Sequence, residues 1–238
     1  MKFIQPNWPS PTKIKAYTTL RSGWGESISS FPFHLTNRKV SKQLETLLHL
    51  PDEPIWLTQT HSSLVIEAIP KNRGKMADAS FTVIPHHVCL ILTADCLPIL
   101  ISNKKGTQVA AIHAGWRGLA NNIIETTLSA LKQPPEELLI WLGPAIGPRK
   151  FEVGEDVYQA FTGQHSQSFP AFIPHSEGKW LANLYELAKI RLQLEGIPPH
   201  HIYGGNYCTY TQADLFFSYR RDKTNAGRMA SVIWIDQE

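Results

Sequence analysis

The chain has 238 residues, 42% hydrophobic and 18% charged, with a net charge of +3. A chain of this size buries a sizeable core, roughly 70% of its unfolded surface, and so mild a charge, with no basic run, argues against a nucleic-acid partner. Its cysteines, Cys89, Cys96 and Cys208, are odd in number and widely spaced, which disfavours a disulfide framework and suits a reducing compartment.

The opening residues, MKFIQPNWPSPTK, lack the apolar core of a signal peptide, and even VCLILTADCLPILI is interrupted by Asp95 and Pro98. The expectation is a cytoplasmic protein without a membrane partner. Alternation over 13–20 predicts a strand leading into the loop Arg21-Ser22-Gly23-Trp24-Gly25. Val40, Leu44, Leu47 and Leu48 share one face of a helix predicted over 39–49, with Pro51 ending it. Strands are predicted over 54–61, 64–69, 80–84 and 88–93.

The apolar runs 97–101 and 109–112, separated by Asn103-Lys104-Lys105-Gly106, predict an antiparallel hairpin. Apolar residues at three- and four-residue spacing then predict one helix over 115–131, stopped by Pro134-Pro135. A short buried strand over 138–142 runs into the loop 143–148. Helices over 154–161 and 183–194 follow, then strands near 201–204, 215–219 and 229–235. There is no internal repeat and no linker, so residues 1–238 read as one α/β (α+β) domain, mixed β-sheets flanked by helices.

The hairpin carries the chemistry. Cys96 sits where its first strand begins and His113 where its second ends, so pairing brings a thiol and an imidazole side by side. Of ten histidines, His34, His49, His86, His87, His165, His175, His200 and His201 read as turn, loop or surface residues. His61, like His113, follows an apolar run at its polar end. His61, Cys96 and His113 together offer two imidazoles and a thiolate, a set that suits Zn²⁺ with a fourth position left open. Taken singly, each is more often a structural residue than a ligand.

Several motifs then fall in order: Gln59-Thr60-His61, Ala94-Asp95-Cys96-Leu97-Pro98, His113-Ala114-Gly115-Trp116-Arg117-Gly118 and Gly143-Pro144-Ala145-Ile146. Phe151-Glu152-Val153-Gly154, Cys208-Thr209, Phe216-Phe217-Ser218-Tyr219-Arg220-Arg221 and Ala226-Gly227-Arg228 complete the series. Over residues 59–228 the chain resembles the laccase-domain proteins, also called polyphenol-oxidase-like or peptidoglycan-editing-factor proteins and linked to purine nucleoside phosphorylase activity. The resemblance implies the YfiH-like, cysteine-hydrolase type of α/β fold and His61, Cys96 and His113 as metal ligands. It thins at the N-terminus, where 29–35 lacks the family's Asn-Leu-Gly and only Asn37-Arg38 remains. Asn183 also stands where the family commonly has Asp.

The implied activity is zinc-dependent chemistry on purine nucleosides: phosphorolysis of adenosine, inosine or methylthioadenosine to base and ribose 1-phosphate, and adenosine deamination. Purine nucleoside and phosphate are the expected partners, with a monomer as the expected state. Cys96, His113 and Asp95 are the candidate catalytic residues, although Asp95 also reads as a residue that orients a neighbouring ligand. Arg117, Arg220, Arg221 and Arg228 are candidates for the anion, because the planar guanidinium donates paired hydrogen bonds to phosphate. Three other functions compete. Cys96 could be the nucleophile of an amidase acting on peptidoglycan precursors, with His113 as its base. A copper polyphenol oxidase would need clustered His-x-His pairs, which the chain lacks. A structural zinc would need a fourth ligand, for which Cys208 is the candidate.

Overall fold

The computed structural model describes residues 2–24 and 38–237. The predicted Gly25, His34, the segment 29–35 and Asn37 lie outside the described residues. The strands are β1 (Phe3–Ile4), β2 (Ile14–Thr19), β3 (Val65–Glu67), β4 (Ala79–Thr82), β5 (Cys89–Thr93), β6 (Leu97–Asn103) and β7 (Val109–Ala114). They continue with β8 (Leu138–Leu142), β9 (Glu152–Gly154), β10 (Phe172–Ser176), β11 (Lys179–Ala182), β12 (Ile202–Gly204) and β13 (Met229–Ile235). The helices are α1 (Arg38–Leu48), α2 (Trp116–Ala120), α3 (Ile123–Leu131), α4 (Glu155–Thr162), α5 (Leu184–Leu194) and α6 (Tyr219–Asp222).

Two sheets form the body. One runs β12-β8-β6-β7-β4-β3 and the other β1-β2-β13-β5, with a small third sheet β10-β11-β9 beside them. Their central strands read as unbroken apolar runs because both faces are buried. Successive side chains point to opposite faces, so each run feeds two cores. Ile99, Ile101, Ala110 and Ile112 pack under α2, α3 and α5. Leu100, Val109 and Ala111 face Cys89, Ile91 and Ile233 of the other sheet. Leu90, Leu92 and Val232 then turn outward against Val40, Leu44 and Leu48 of α1. The result is a mixed α/β architecture of two stacked sheets with helices outside each. Fully burying one such aliphatic side chain contributes about 2 kcal/mol. Among the described residues no helix is long and apolar enough to cross a membrane.

The predicted hairpin forms, with Leu97 opposite Ala114 and Pro98 opposite His113. Pro98 is tolerated there because it sits at the start of its strand, and the opposing His113 N–H donates instead to Asp78 O at 2.7 Å. Several boundaries differ from expectation. The helix predicted over 115–131 breaks at Asn122, which adopts the left-handed conformation (φ 65°) and divides α2 from α3. Residues 54–61 make only the isolated bridges Ile55–Cys89 and Thr58–Met76. The N–H groups of Ile55 and Thr58 donate to Val88 O and Lys75 O, while those of Thr60 and His61 go to a side chain, the Asp78 carboxylate. Instead of a strand over 215–219 the chain turns into α6, capped by the Ser218 hydroxyl accepting from Arg221 N–H. The pair β10 and β11 was not evident in the sequence, since Pro174 and exposed residues obscure its alternation.

Candidate metal and substrate site

The site forms where the chain passes from one sheet to the other, between β5 and β6. Asp95 makes that turn at φ 94°, a strained value for a side-chain-bearing residue. Its carboxylate accepts from the Thr209 hydroxyl and the Arg220 N–H, both at 2.6 Å, and its carbonyl accepts from Ile146 N–H at 2.9 Å. These bonds hold the turn that presents the Cys96 sulfur. Asp95 lines the cavity described below, but both carboxylate oxygens are engaged, and its place is that of a residue shaping the backbone.

His61 arrives on the extended segment 54–61. Gln59, buried, substitutes for a strand partner: its amide donates to Leu92 O at 2.8 Å and accepts from Leu92 N–H at 2.7 Å. His61 itself has φ 60°, a left-handed value that few non-glycine residues adopt. The third member, His113, projects from the end of β7 and is almost fully buried.

The three side chains meet. Their candidate ligand atoms all lie within 4.8 Å of one another, the Cys96 sulfur is 3.8 Å from His61 Nε2, and the two imidazole centroids are 4.8 Å apart. Tetrahedral zinc with ordinary Zn–S and Zn–N bonds places sulfur and nitrogen about 3.6 Å apart, so the donor set fits a metal. Gly115 permits the approach. A Cβ there would sit 3.0 Å from both Cys96 Sγ and His61 Cδ2.

The electrostatics of the cluster are those of an ion pair. Burial alone would push the Cys96 thiol up, but the charge and hydrogen bond of His113, reinforced by His61, bring it down to about 6. Burial likewise opposes a charged His113, yet the Cys96 thiolate and the hydrogen bond to Asp78 raise it to about 9. Asp78 was not singled out in the sequence. Burial would raise its carboxyl, but hydrogen bonds from His113 and Ser62 hold it at about 2. The available signal was a lone acid set between Ala77 and Ala79, in a stretch that otherwise reads as core.

The cluster opens on a cavity of about 600 Å³ whose lining includes Trp116, Arg117, Phe151, Tyr219, Arg220 and Arg228. Arg117 is exposed and lies 4.4 Å from the Trp116 ring centroid. Arg220 is anchored by Nη1 to Glu152 O at 3.0 Å and lies 5.5 Å from the Phe151 centroid. Arg228 Nη1 donates to Ala226 O and Gly227 O at 2.7 and 2.9 Å, and burial lowers its pKa.

Arg221 is turned to the fold. Its guanidinium bonds Asp222 through Nε and Nη2, Thr209 O and Tyr210 O through Nη1, and Phe216 O through Nη2. Its donors are spent on the fold, and it does not line the cavity. Cys208 is not part of the cluster. Its sulfur accepts from Gly147 N–H at 3.2 Å and lines a separate cavity of about 440 Å³. Cys89 is buried, its thiol pushed up to about 12 by burial. Asn183 performs the capping that an Asp would, accepting from Glu186 N–H at 3.2 Å at the start of α5.

Residues 35–236 match the family model described as multi-copper polyphenol oxidoreductase laccase. A purine nucleoside phosphorylase of Haemophilus influenzae is 45% identical over 99% of this chain and 100% of its own length. The purine nucleoside phosphorylase YfiH of Escherichia coli K12 is 44% identical over 98% of this chain and 99% of its own. Among solved structures, protein NMB0706 of Neisseria meningitidis superposes with a TM-score of 0.89 at 38% identity, covering 100% of both chains.

Proposed function

The chain belongs to the multi-copper polyphenol oxidoreductase laccase family, and from that premise we infer that it is a metal-dependent purine nucleoside phosphorylase, folded as one domain of the cytoplasm. The observation that carries the reading is the placement of His61, Cys96 and His113 at one side of a cavity lined by three arginines and three aromatic rings. Relatives named purine nucleoside phosphorylase cover nearly the whole chain.

His61, Cys96 and His113 would hold the metal, and we assign zinc rather than copper. Two imidazoles and a thiolate with an open fourth position suit catalytic zinc. The same trio serves copper electron-transfer sites, which add a weak axial methionine or glutamine. Gln59 lines the cavity, but both ends of its amide are engaged with Leu92. Among the described residues no methionine lines this cavity, and the Met229 sulfur accepts from Phe217 N–H instead. When bound, zinc would supply Lewis acidity beside the substrate.

The rest falls to the chain's own side chains. In phosphorolysis a phosphate oxygen forms a bond to ribose C1′ while the bond from C1′ to purine N9 breaks, the electron pair leaving with the base. Arg117, Arg220 and Arg228 offer positive charge for the phosphate. Trp116, Phe151 and Tyr219 offer apolar faces for ribose and base. Asp95 holds the turn carrying Cys96. Adenosine, inosine and methylthioadenosine are the expected nucleosides, and adenosine deamination is a second activity of the same cavity.

Metal analysis together with an inosine-and-phosphate assay tests the reading. The wild type is expected to bind about one zinc per chain and to release hypoxanthine, and Cys96→Ala is expected to lose both. Metal-free protein with full activity would overturn it. One observation favours a second reading: a Cys96 thiol brought down to about 6 beside a His113 raised to about 9 is also the pair of a cysteine hydrolase. Amidase activity on a peptidoglycan precursor, retained after chelation and abolished by alkylation of Cys96, would favour that alternative.

A further inference from the structure

Two of the three ligand side chains depend on the same buried carboxylate. Asp78 is fully buried, yet it accepts from the backbone N–H groups of Thr60, His61 and Ser62 at 3.2, 3.0 and 2.7 Å. The Ser62 hydroxyl donates to it at 2.7 Å. Its Oδ1 lies 2.8 Å from His113 Nδ1, and its backbone carbonyl accepts from His113 N–H at 2.7 Å.

We propose that Asp78 is the positioning residue that pre-forms the metal site, fixing His61 in its left-handed conformation and fixing His113 as the Nδ1–H form that binds metal through Nε2. This rests on the metal-site reading above and adds to it a group outside the ligand set.

The argument has two parts. A left-handed conformation costs a side-chain-bearing residue of the order of 1–2 kcal/mol; histidine adopts it more often than most, and the bonds to Asp78 offset the remaining cost. Three consecutive N–H groups, at 60, 61 and 62, converge on one anionic oxygen pair, a nest of the kind that stabilises such a turn. The second part concerns the imidazole. A carboxylate accepts hydrogen bonds and does not donate them, so a ring nitrogen held 2.8 Å from it must carry the proton, leaving the other nitrogen's lone pair for the metal. Removing partners that orient a ligating histidine commonly costs 10–100-fold in metal affinity.

Cobalt(II) and zinc titrations of the metal-free wild type and Asp78→Asn provide the first test. The amide keeps the volume of the acid but brings donor hydrogens against the N–H nest. The expected result is affinity weakened roughly 10–100-fold, with an altered cobalt absorption spectrum, in a variant that keeps its circular dichroism. Wild-type affinity and spectrum in Asp78→Asn would overturn the proposal, even if that variant melts at a lower temperature. Nitrogen-15 spectra of the zinc-loaded wild type give a second measurement that does not depend on the variant folding. They are expected to show the His113 proton on Nδ1, and a proton on Nε2 with zinc at Nδ1 would overturn the proposal. A wild type that binds neither metal would sink the metal-site reading itself, an outcome distinct from a variant that binds as well as the wild type.

Discussion

Gly115→Ala separates the site from the fold. The added Cβ would stand 3.0 Å from both Cys96 Sγ and His61 Cδ2, where comfortable contact needs about 3.5–4.0 Å. One or both ligand side chains must therefore give by a few tenths of an ångström, at or beyond the ±0.2 Å tolerance of a metal bond. The expected loss is about 10–100-fold in zinc affinity, by analogy with loss of ligand support, or roughly 1.4–2.7 kcal/mol. The fold should barely notice. Gly115 has φ −72° and ψ 165°, which alanine adopts freely. The loss of unfolded-state entropy on replacing glycine, about 0.4–1 kcal/mol in favour of the variant, is roughly cancelled because glycine is better than alanine at a helix N-cap by about 0.5–1 kcal/mol. Calorimetric zinc titration and thermal melts with and without zinc check both halves. In a chain of this size 1 kcal/mol moves the midpoint about 2–4 °C. The metal-free melt should therefore stay within roughly 4 °C of wild type, while the rise produced by zinc shrinks by roughly 3–10 °C. Wild-type zinc affinity in Gly115→Ala would refute the reasoning. A collapse of the metal-free melt would show that Gly115 serves the fold instead.

Two further outcomes follow from the same geometry. Arg221→Ala should destabilise the protein by about 2–4 kcal/mol, since it strips partners from the Thr209, Tyr210 and Phe216 carbonyls and from Asp222. Arg117→Ala should leave the melt within about 0.5 kcal/mol and raise KM for phosphate; the reverse pattern would reassign both residues. In metal-free protein the Cys96 thiolate should persist well below the usual thiol range. Its alkylation, followed by peptide mass, should be half-maximal near pH 6, because the folded value of about 6 lies beneath the ordinary 9.0. The thiol's sign is that of a depressed acid, its stabilisation lost as pH falls through about 6, while His113 loses its share as pH rises through about 9, so the pair stabilises most between the two. A half-point near 9 would contradict the ion pair with His113.

Much of the site was legible in the chain itself. The runs 97–101 and 109–112, with a polar turn between them, specify a hairpin by local pattern alone, and a hairpin necessarily brings its open ends together. That sufficed to pair Cys96 with His113, and the motif Gln59-Thr60-His61 added the third side chain. What stayed hidden depended on groups distant in sequence. Asp78 looked like an isolated acid because its partners are distant in sequence: residue 113 comes to it only when β4 lies beside β7, and 60–62 only through the bridge from Thr58 to Met76. The segment 54–61 has the apolar pattern of a strand, yet it pairs only through isolated bridges, and at Leu92 the Gln59 side chain takes the place of a strand partner. The sequence did not choose the anion-binding residue among Arg117, Arg220, Arg221 and Arg228, although Asp222 beside Arg221 offered that arginine a structural partner. Only the tertiary structure distinguishes them, since a guanidinium's role depends on whether buried carbonyls have already taken its N–H groups. For Arg221 they have. Periodicity and turn position by themselves paired Cys96 with His113, and the resemblance carried by the Gln59-Thr60-His61 motif brought in the third side chain. The packing of two sheets decided how the three are oriented, because the orienting hydrogen bonds are non-local and leave no periodic trace.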